Sequence, residues 1–478
     1  MVFKSGAASR RSVGPAIVLT WLSSSFSQPS TMPALRWSPR GLTSVVRSSL
    51  ARYVVSPLHR SNGTTVASKL LLPQRQFLTS GFVEVDISRK IEEEDLPLYK
   101  AENYYPASIG QVLESRYQIV SKLGYGTSST VWLCRDLLEN DYFTLKVCNK
   151  GHKPTHELAI SDLLRNSKEH AGKKTIRLVL DSFEVSGPSG THTCLVYQPC
   201  GMSFTEFQHL LPDNKLPKEL VQRGIQLILI SLAFLHDNGV IHTDISTNNI
   251  LQGIQDPSVL RQIEEDEVAR PIARKVLSDR TIYYSRPMPN SAGLLVLSDF
   301  GEARIDKGSN RGDIMPGIYR APEVILDMEW DCKVDVWSIG TMIWDMVEGG
   351  HLFFAKKDRI LNDEQQLAEL VSLMGPPPPE FLQRSEKCRQ FWDDQGTWKG
   401  SIPIPEQSFE MRARQFFNED KELFMAFLRR IFCWLPEERP TAEELAYDDF
   451  LMQPLLAARL AGYDSTSCAY RVGWTKPG

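Results

Sequence analysis

The stretch His242-Thr243-Asp244-Ile245-Ser246-Thr247-Asn248-Asn249 sets a carboxylate and a carboxamide five residues apart, and a second carboxylate follows in Asp299-Phe300-Gly301. A fixed Asp244 can accept the proton of an incoming hydroxyl. Asn249 and Asp299 offer the hard oxygen donors that Mg²⁺ requires, and Mg²⁺ in turn bridges phosphate oxygens. Taken singly, an Asx-turn and a strand-end Asp explain each residue equally well. What points to chemistry is their order in the chain, downstream of a lysine and a glycine-rich turn.

That turn is Leu123-Gly124-Tyr125-Gly126-Thr127-Ser128-Ser129-Thr130-Val131, which fits G-x-G-x-x-G-x-V except for Ser129 at the third glycine. Small residues let a strand-turn-strand approach phosphate oxygens closely, with backbone N–H groups facing them. An ordinary hairpin turn is the alternative. A dinucleotide-binding turn would need a helix at once, and Val131-Trp132-Leu133 is strand-like instead. Lys146, in Phe143-Thr144-Leu145-Lys146, falls on a second apolar strand that would set its ammonium beneath the loop. Glu157 opens the helical pattern Glu157, Ile160, Leu164 and can aim that ammonium at the α- and β-phosphates of a nucleotide. Other glutamates could substitute for it.

Several elements must position these groups. Tyr117-Gln118-Ile119-Val120 starts an alternating strand that resumes at Val131 after the glycine-rich break. Val221, Ile225, Ile228, Leu232 and Leu235 recur at helical spacing between Pro217 and Gly239, so one buried helix delivers the chain to Ile241 and His242. Residues 252–293 are polar and charged and read as an insertion. Leu294-Leu295-Val296-Leu297 then restores a buried strand before Asp299. Residues 319–455 are mainly helical, broken by the prolines at 376–379, and 456–478 form a tail.

The chain has 478 residues, 42% hydrophobic and 23% charged, enough to bury a large core. Its formal charge of −4 conceals an asymmetry: residues 1–83 carry ten Lys or Arg and no acid, leaving 44 basic against 58 acidic residues, a net −14, on 84–478. That sign excludes a direct nucleic-acid footprint on the body and suits basic partners. Residues 1–83 have the Ser- and Arg-rich, acid-free composition of a mitochondrial presequence, with Arg75-Gln76-Phe77-Leu78-Thr79-Ser80 resembling a matrix-processing site. A disordered basic tail or a mispredicted gene start is the alternative. Residues 84–116, with Glu92, Glu93, Glu94 and Asp95 together, read as a solvated acidic linker and lead-in. Eight scattered cysteines signal neither a zinc site nor a disulfide framework. The apolar runs near 16–22 and 227–235 fall short of the roughly 20 residues of a membrane-spanning helix, so no span is expected.

Taken together, the ordered set GYGTSSTV, FTLK, HTDISTNN, DFG and Ala321-Pro322-Glu323 resembles the signatures of eukaryotic protein kinases. Asp335-Val336-Trp337-Ser338-Ile339-Gly340 resembles the family's buried helix that anchors the catalytic loop, and Arg439 is placed like the arginine that pairs with the glutamate of A-P-E, here Glu323. The resemblance covers about residues 104–455. It implies an α+β, bilobal protein kinase-like fold, with a small β-rich N-lobe over 117–199 and a larger helical C-lobe over 200–455. It further implies ATP and Mg²⁺ as cofactors, Asp244 positioning the substrate hydroxyl, Lys146 on the phosphates with Glu157 behind it, and Asn249 and Asp299 on the metal. Tyr197 would stand at the gatekeeper position and the Cys200 backbone would face adenine, with Leu123, Val131 and Leu251 sandwiching the ring.

Within kinases the chain is most similar to serine/arginine-rich protein kinases of fungal type, on Ser129, on the threonine of His242-Thr243-Asp244 and on the insertion between Asn249 and Asp299. That likeness implies transfer to Ser or Thr of a basic or Arg/Ser-rich protein by a monomer. It suggests nucleus and cytoplasm where the N-terminus suggests mitochondria. Thr243 replaces the arginine that in many kinases holds an activation-loop phosphate, so activity without that phosphorylation is expected. Ser246 replaces the lysine that neutralises the transferring phosphate, which raises the alternative of a nucleotide-binding pseudokinase scaffold.

Overall fold

Strands rich in β-branched and aromatic residues build the first layer. In the computed structural model, which describes residues 71–357 and 360–460, six antiparallel strands stand in the order β1-β2-β3-β4-β6-β5. They are β1 Val112–Leu113, β2 Tyr117–Tyr125, β3 Ser129–Asp136, β4 Tyr142–Cys148, β5 Asp181–Gly187 and β6 Gly190–Tyr197. Helix α1, Thr155–Arg165, turns Glu157, Ile160, Ser161 and Leu164 inward. Tyr117, Ile119, Trp132, Cys134, Phe143, Leu145 and Val196 form a core on one side of the sheet. Two register shifts in β2, between Ile119 and Ser121 and between Lys122 and Gly124, bend the strand as it enters the glycine-rich turn.

The second lobe is helical. A capping box of Ser203 and Glu206 starts α2, Phe204–His209. Helix α3, Lys218–Asp237, buries Val221, Ile225, Ile228, Leu232 and Leu235, the residues whose spacing predicted it. By length and composition α3 could cross a membrane, a correction to the reading of its apolar run as too short, yet most of it is buried inside the lobe. Two small antiparallel pairs follow: β7 Val240–Ile241 with β12 Arg304–Ile305, and β8 Ile250–Gln252 with β11 Leu295–Leu297. The loop carrying Asp244 thus joins β7 to β8 while Asp299 lies between β11 and β12, so the pairing brings two distant loops side by side.

The insertion is an ordered part of the fold. It forms helix α4, Ser258–Ala269, and the hairpin β9 Arg274–Val276 with β10 Thr281–Tyr283. This unit packs on the N-lobe, with the Arg286 N–H on the Lys122 carbonyl at 2.8 Å. The expectation of a solvated acidic linker is overturned in the same place. Glu92 and Glu93 are buried against Lys122, which is itself wholly buried, and Glu94 lies 2.7 Å from Lys275 of β9. Carboxylates leave water here because cations from two other segments replace it. Of the basic extension, residues 1–70 lie outside the described residues, as does the tail beyond Leu460. Arg75 lies against β2, exchanging backbone hydrogen bonds with the Gln118 side chain at 2.8 and 2.9 Å.

Short helix α5, Pro322–Ile325, and long helix α6, Lys333–Glu348, centre the C-lobe. The large aromatic core around Trp337, Phe353, Phe424, Phe432 and Phe450 is closed by helices within 363–460.

Candidate active site

Strand register places Lys146. It pairs with Val131 across β3 and β4, so both side chains share one face beneath the glycine-rich turn. Lys146 Nζ lies 3.0 and 3.2 Å from the two Glu157 oxygens and 3.0 Å from Asp299 Oδ1. Burial alone would lower the lysine pKa, but the charges of Asp299 and Glu157 outweigh it and hold it well above the ordinary value. Burial likewise pushes Asp299 up, and Lys146 reverses this to a net lowering. Lys146 and Asp299 are therefore both charged at neutral pH. Tyr197, at the end of β6, donates its hydroxyl to Glu157 Oε1.

Asp299 sits at φ 65°, left-handed backbone that a non-glycine residue adopts only when its surroundings require it. The Gly301 N–H reaches Asp299 Oδ1 at 3.3 Å, and a Cβ on Gly301 would stand 3.2 Å from that oxygen, which explains the glycine of the Asp-Phe-Gly run. Phe300 is buried with its ring 5.3 Å from His242, whose Nε2 lies 3.2 Å from the Ser298 carbonyl. One imidazole thus ties together the two loops that carry the carboxylates.

Asp244 is almost buried, and burial raises its pKa, moving the carboxylate toward the range of a competent proton acceptor. Asn249 Nδ2 donates to Asp244 Oδ2 and to its backbone carbonyl, both at 2.8 Å. With its nitrogen committed to Asp244, the oxygen is what Asn249 can offer a cation. Asp335 of α6 accepts the backbone N–H groups of His242 and Thr243 at 2.8 Å each, as the likeness to an anchoring helix implied. Thr243, at φ 63°, sends its hydroxyl to the Glu302 carbonyl at 2.7 Å.

The nine predicted residues of the glycine-rich loop divide between two faces. Gly124 pairs with Val131, and Tyr125 with Thr130. Val131 shares the face of Lys146, whereas Thr130 accepts the Trp132 indole N–H at 2.9 Å and Tyr125 carries Lys122 Nζ 5.1 Å above its ring, both on the opposite face. Ser129 is fully buried, and Leu123 is half-buried against the main hydrophobic core, which runs through both lobes. Gly126, Thr127 and Ser128 make the turn, closed by the Gly126 N–H on the Ser129 carbonyl at 2.8 Å. Cys200 is buried just past the lobe junction, where Ser203 forms a β-bridge with Leu251. Sequence reasoning missed His236, 2.9 Å from Asp335, and Tyr104, whose hydroxyl bonds the loop. His236 had no motif to mark it, and Tyr104 lies before the first recognisable strand.

A family model described as protein kinase domain matches residues 117–451. A serine/threonine protein kinase of Aspergillus fumigatus is 40% identical over 388 residues, covering 80% of this chain and 95% of that protein. The serine/threonine-protein kinase SRPK of Physarum polycephalum is 28% identical, covering 74% of this chain and 90% of that one. A crystal structure of a kinase domain shares the fold at a TM-score of 0.57 and 23% identity, covering 73% of this chain and 98% of that one. With its bilobal architecture and the ordered loops at the junction, the chain belongs to the protein kinase family.

Proposed function

We propose that the chain transfers the γ-phosphoryl group of ATP to a Ser or Thr hydroxyl of a protein. The observation that carries this reading is the convergence of Lys146, Glu157 and Asp299 in one ion cluster, beside Asp244 held by Asn249. Magnesium, when bound with ATP, supplies charge neutralisation to the phosphates. The donor set suits it: Asp299 is ionised and Asn249 presents an oxygen, both hard ligands. Lys146, aimed by Glu157, would hold the α- and β-phosphates. Asp244 would orient the substrate hydroxyl and accept its proton. Leu123, Val131, Leu251 and the backbone at Cys200 would hold the adenine, and Tyr197 would back it.

The reading as a scaffold without transferase activity, prompted by Ser246, finds no support in the relatives, which are named as kinases. The substrate class we propose is basic, Arg/Ser-rich protein. It rests on the net −14 of residues 84–478 and on the likeness to a kinase named SRPK. Phosphate transfer from MgATP to an Arg-Ser peptide and to an acidic Ser peptide, by wild type and by Asp244→Asn, tests both parts. We expect turnover on the basic peptide that falls by at least about 100-fold in Asp244→Asn. No turnover from folded wild type would overturn the reaction, and equal rates on the two peptides would overturn the substrate class.

A further inference from the structure

The glycine-rich turn is gripped from outside. Tyr104 donates its hydroxyl to the Gly126 carbonyl at 3.0 Å and reaches the Thr127 carbonyl at 3.4 Å. Asn149 holds the next carbonyls, with its Nδ2 on Thr127 O at 2.9 Å and its backbone N–H on Ser128 O at 2.8 Å. In a planar trans peptide the C=O and the following N–H point in opposite directions. Capturing the Gly126 and Thr127 carbonyls therefore sets the direction of the Thr127 and Ser128 N–H groups.

Strand alternation says which way that is. Tyr104 lines a small cavity of about 10 Å³, room for about one water, together with Lys122, Thr130, Trp132 and Tyr283. Thr130 and Trp132 flank Val131, and Val131 shares its face with Lys146, so the cavity lies on the sheet face opposite Lys146. The N–H groups are thus turned toward the side where Lys146 and Asp299 stand.

Tyr104 is itself rigidly seated. The Lys150 N–H bonds the Asn103 carbonyl at 2.8 Å, Arg280 of the insertion bonds the Ala101 carbonyl, and upstream Glu93 and Glu92 clasp buried Lys122. The segment around 91–107, the insertion and β2 form one packed unit that ends on the phosphate-facing loop.

We propose that Tyr104 is a positioning residue for the nucleotide: its hydroxyl holds the glycine-rich turn with its N–H groups presented to phosphate, and so sets the affinity for MgATP. This deepens the kinase reading and rests on it. Tyr104→Phe keeps the ring and its packing on Tyr99, whose centroid lies 5.2 Å away, and removes only the hydroxyl. Tyr105→Phe is the control, since that hydroxyl accepts from Gln111 at 2.8 Å and not from the loop.

KM for ATP, KM for an Arg-Ser peptide and the thermal shift on adding MgATP are measured on the full chain. We expect Tyr104→Phe to raise the ATP KM about fivefold, the equivalent of one neutral hydrogen bond. The peptide KM should stay unchanged, the melting temperature of the nucleotide-free protein should fall by no more than the few degrees that one lost hydrogen bond costs, and the ATP KM of Tyr105→Phe should match wild type. An unchanged ATP KM in Tyr104→Phe, or equal rises in both KM values, would overturn the proposal while leaving the kinase reading intact. Wild type that neither turns over nor gains a thermal shift with MgATP would overturn both.

Discussion

His236 places Nε2 2.9 Å from Asp335 Oδ2, the same oxygen that accepts the His242 backbone N–H at 2.8 Å. The carboxylate that fixes the loop of Asp244 is thus neutralised by an imidazole at the last turn of α3. Burial pushes the His236 pKa down, but its bonds to Asp335 and Cys332 and their charges raise it to about 9.

A pH-dependent stability follows from that shift. The folded pKa lies above the unfolded value near 6.5, so the contribution is fully present below pH 6.5 and is lost as pH rises through about 9. Its size is up to about 3 kcal/mol. Denaturant melts of wild type and His236→Gln should differ most at pH 6 and converge above pH 9. A difference that stays constant across that range would show that His236 is neutral when folded.

Arg439 and Glu323 make the most enclosed ion pair of the C-lobe core. Two parallel bonds of 2.6 and 2.8 Å join them, the Cys433 carbonyl accepts a third, and the guanidinium lies 4.9 Å over the Trp337 ring. Arg439→Ala leaves a buried carboxylate without its partner, which costs about 3–5 kcal/mol. Arg439→Met with Glu323→Leu removes both charges and should recover more than half of that loss in urea melts. A double variant no more stable than Arg439→Ala would show that packing, not the charge, sets the cost.

These contrasts bear on what the residue order could reveal. Helix α3 was legible because Val221, Ile225, Ile228, Leu232 and Leu235 repeat locally, and the loops of Asp244 and Asp299 because each is a short contiguous motif. The run of Glu92 to Asp95 misled, since acids clustered in sequence read as solvated unless their partners are known. Lys122 is 29 residues from Glu93, and Lys275 is 181 residues from Glu94. The same holds in the insertion, where buried Glu267 meets Arg274 and Arg286. Burial of charge is a property of pairs, and only the folded chain brings such pairs together.

Tyr197 gives a smaller effect than its position suggests. Its hydroxyl donates to Glu157, and burial, with the charge of Glu157, keeps its pKa well above 10, so it remains a donor throughout the range of assay. Tyr197→Phe removes one bond to a charged group, worth about 1.5–3 kcal/mol, while Lys146 still holds the glutamate. We expect a lowered melting temperature and a rate loss within about tenfold, against at least about 100-fold for Lys146→Met. Equal losses in the two variants would mean that the phenol, not the lysine, orients Glu157.

Ser309 is the only hydroxyl between Gly301 and Gly317. Thr243 cannot receive a phosphate charge, and its hydroxyl instead ties the Glu302 carbonyl directly to the catalytic loop. The turn around Ser309 is already closed, with Asp306 accepting the Gly308 N–H at 2.8 Å and the Asn310 amide at 2.9 Å. Arg311 reaches Glu329 at 3.0 Å, and hydrogen bonds from Arg311 and Ser309 lower the Glu329 pKa. A phosphate on Ser309 would therefore meet the carboxylates of Glu329 and Asp306 and compete for a guanidinium that is already paired. Ser309→Ala should keep kcat within about twofold of wild type, since one exposed hydrogen bond contributes little. Ser309→Glu should not raise it. Loss of activity in Ser309→Ala with an unchanged melting curve would show that a modified Ser309 is required and that the Thr243 tether does not suffice.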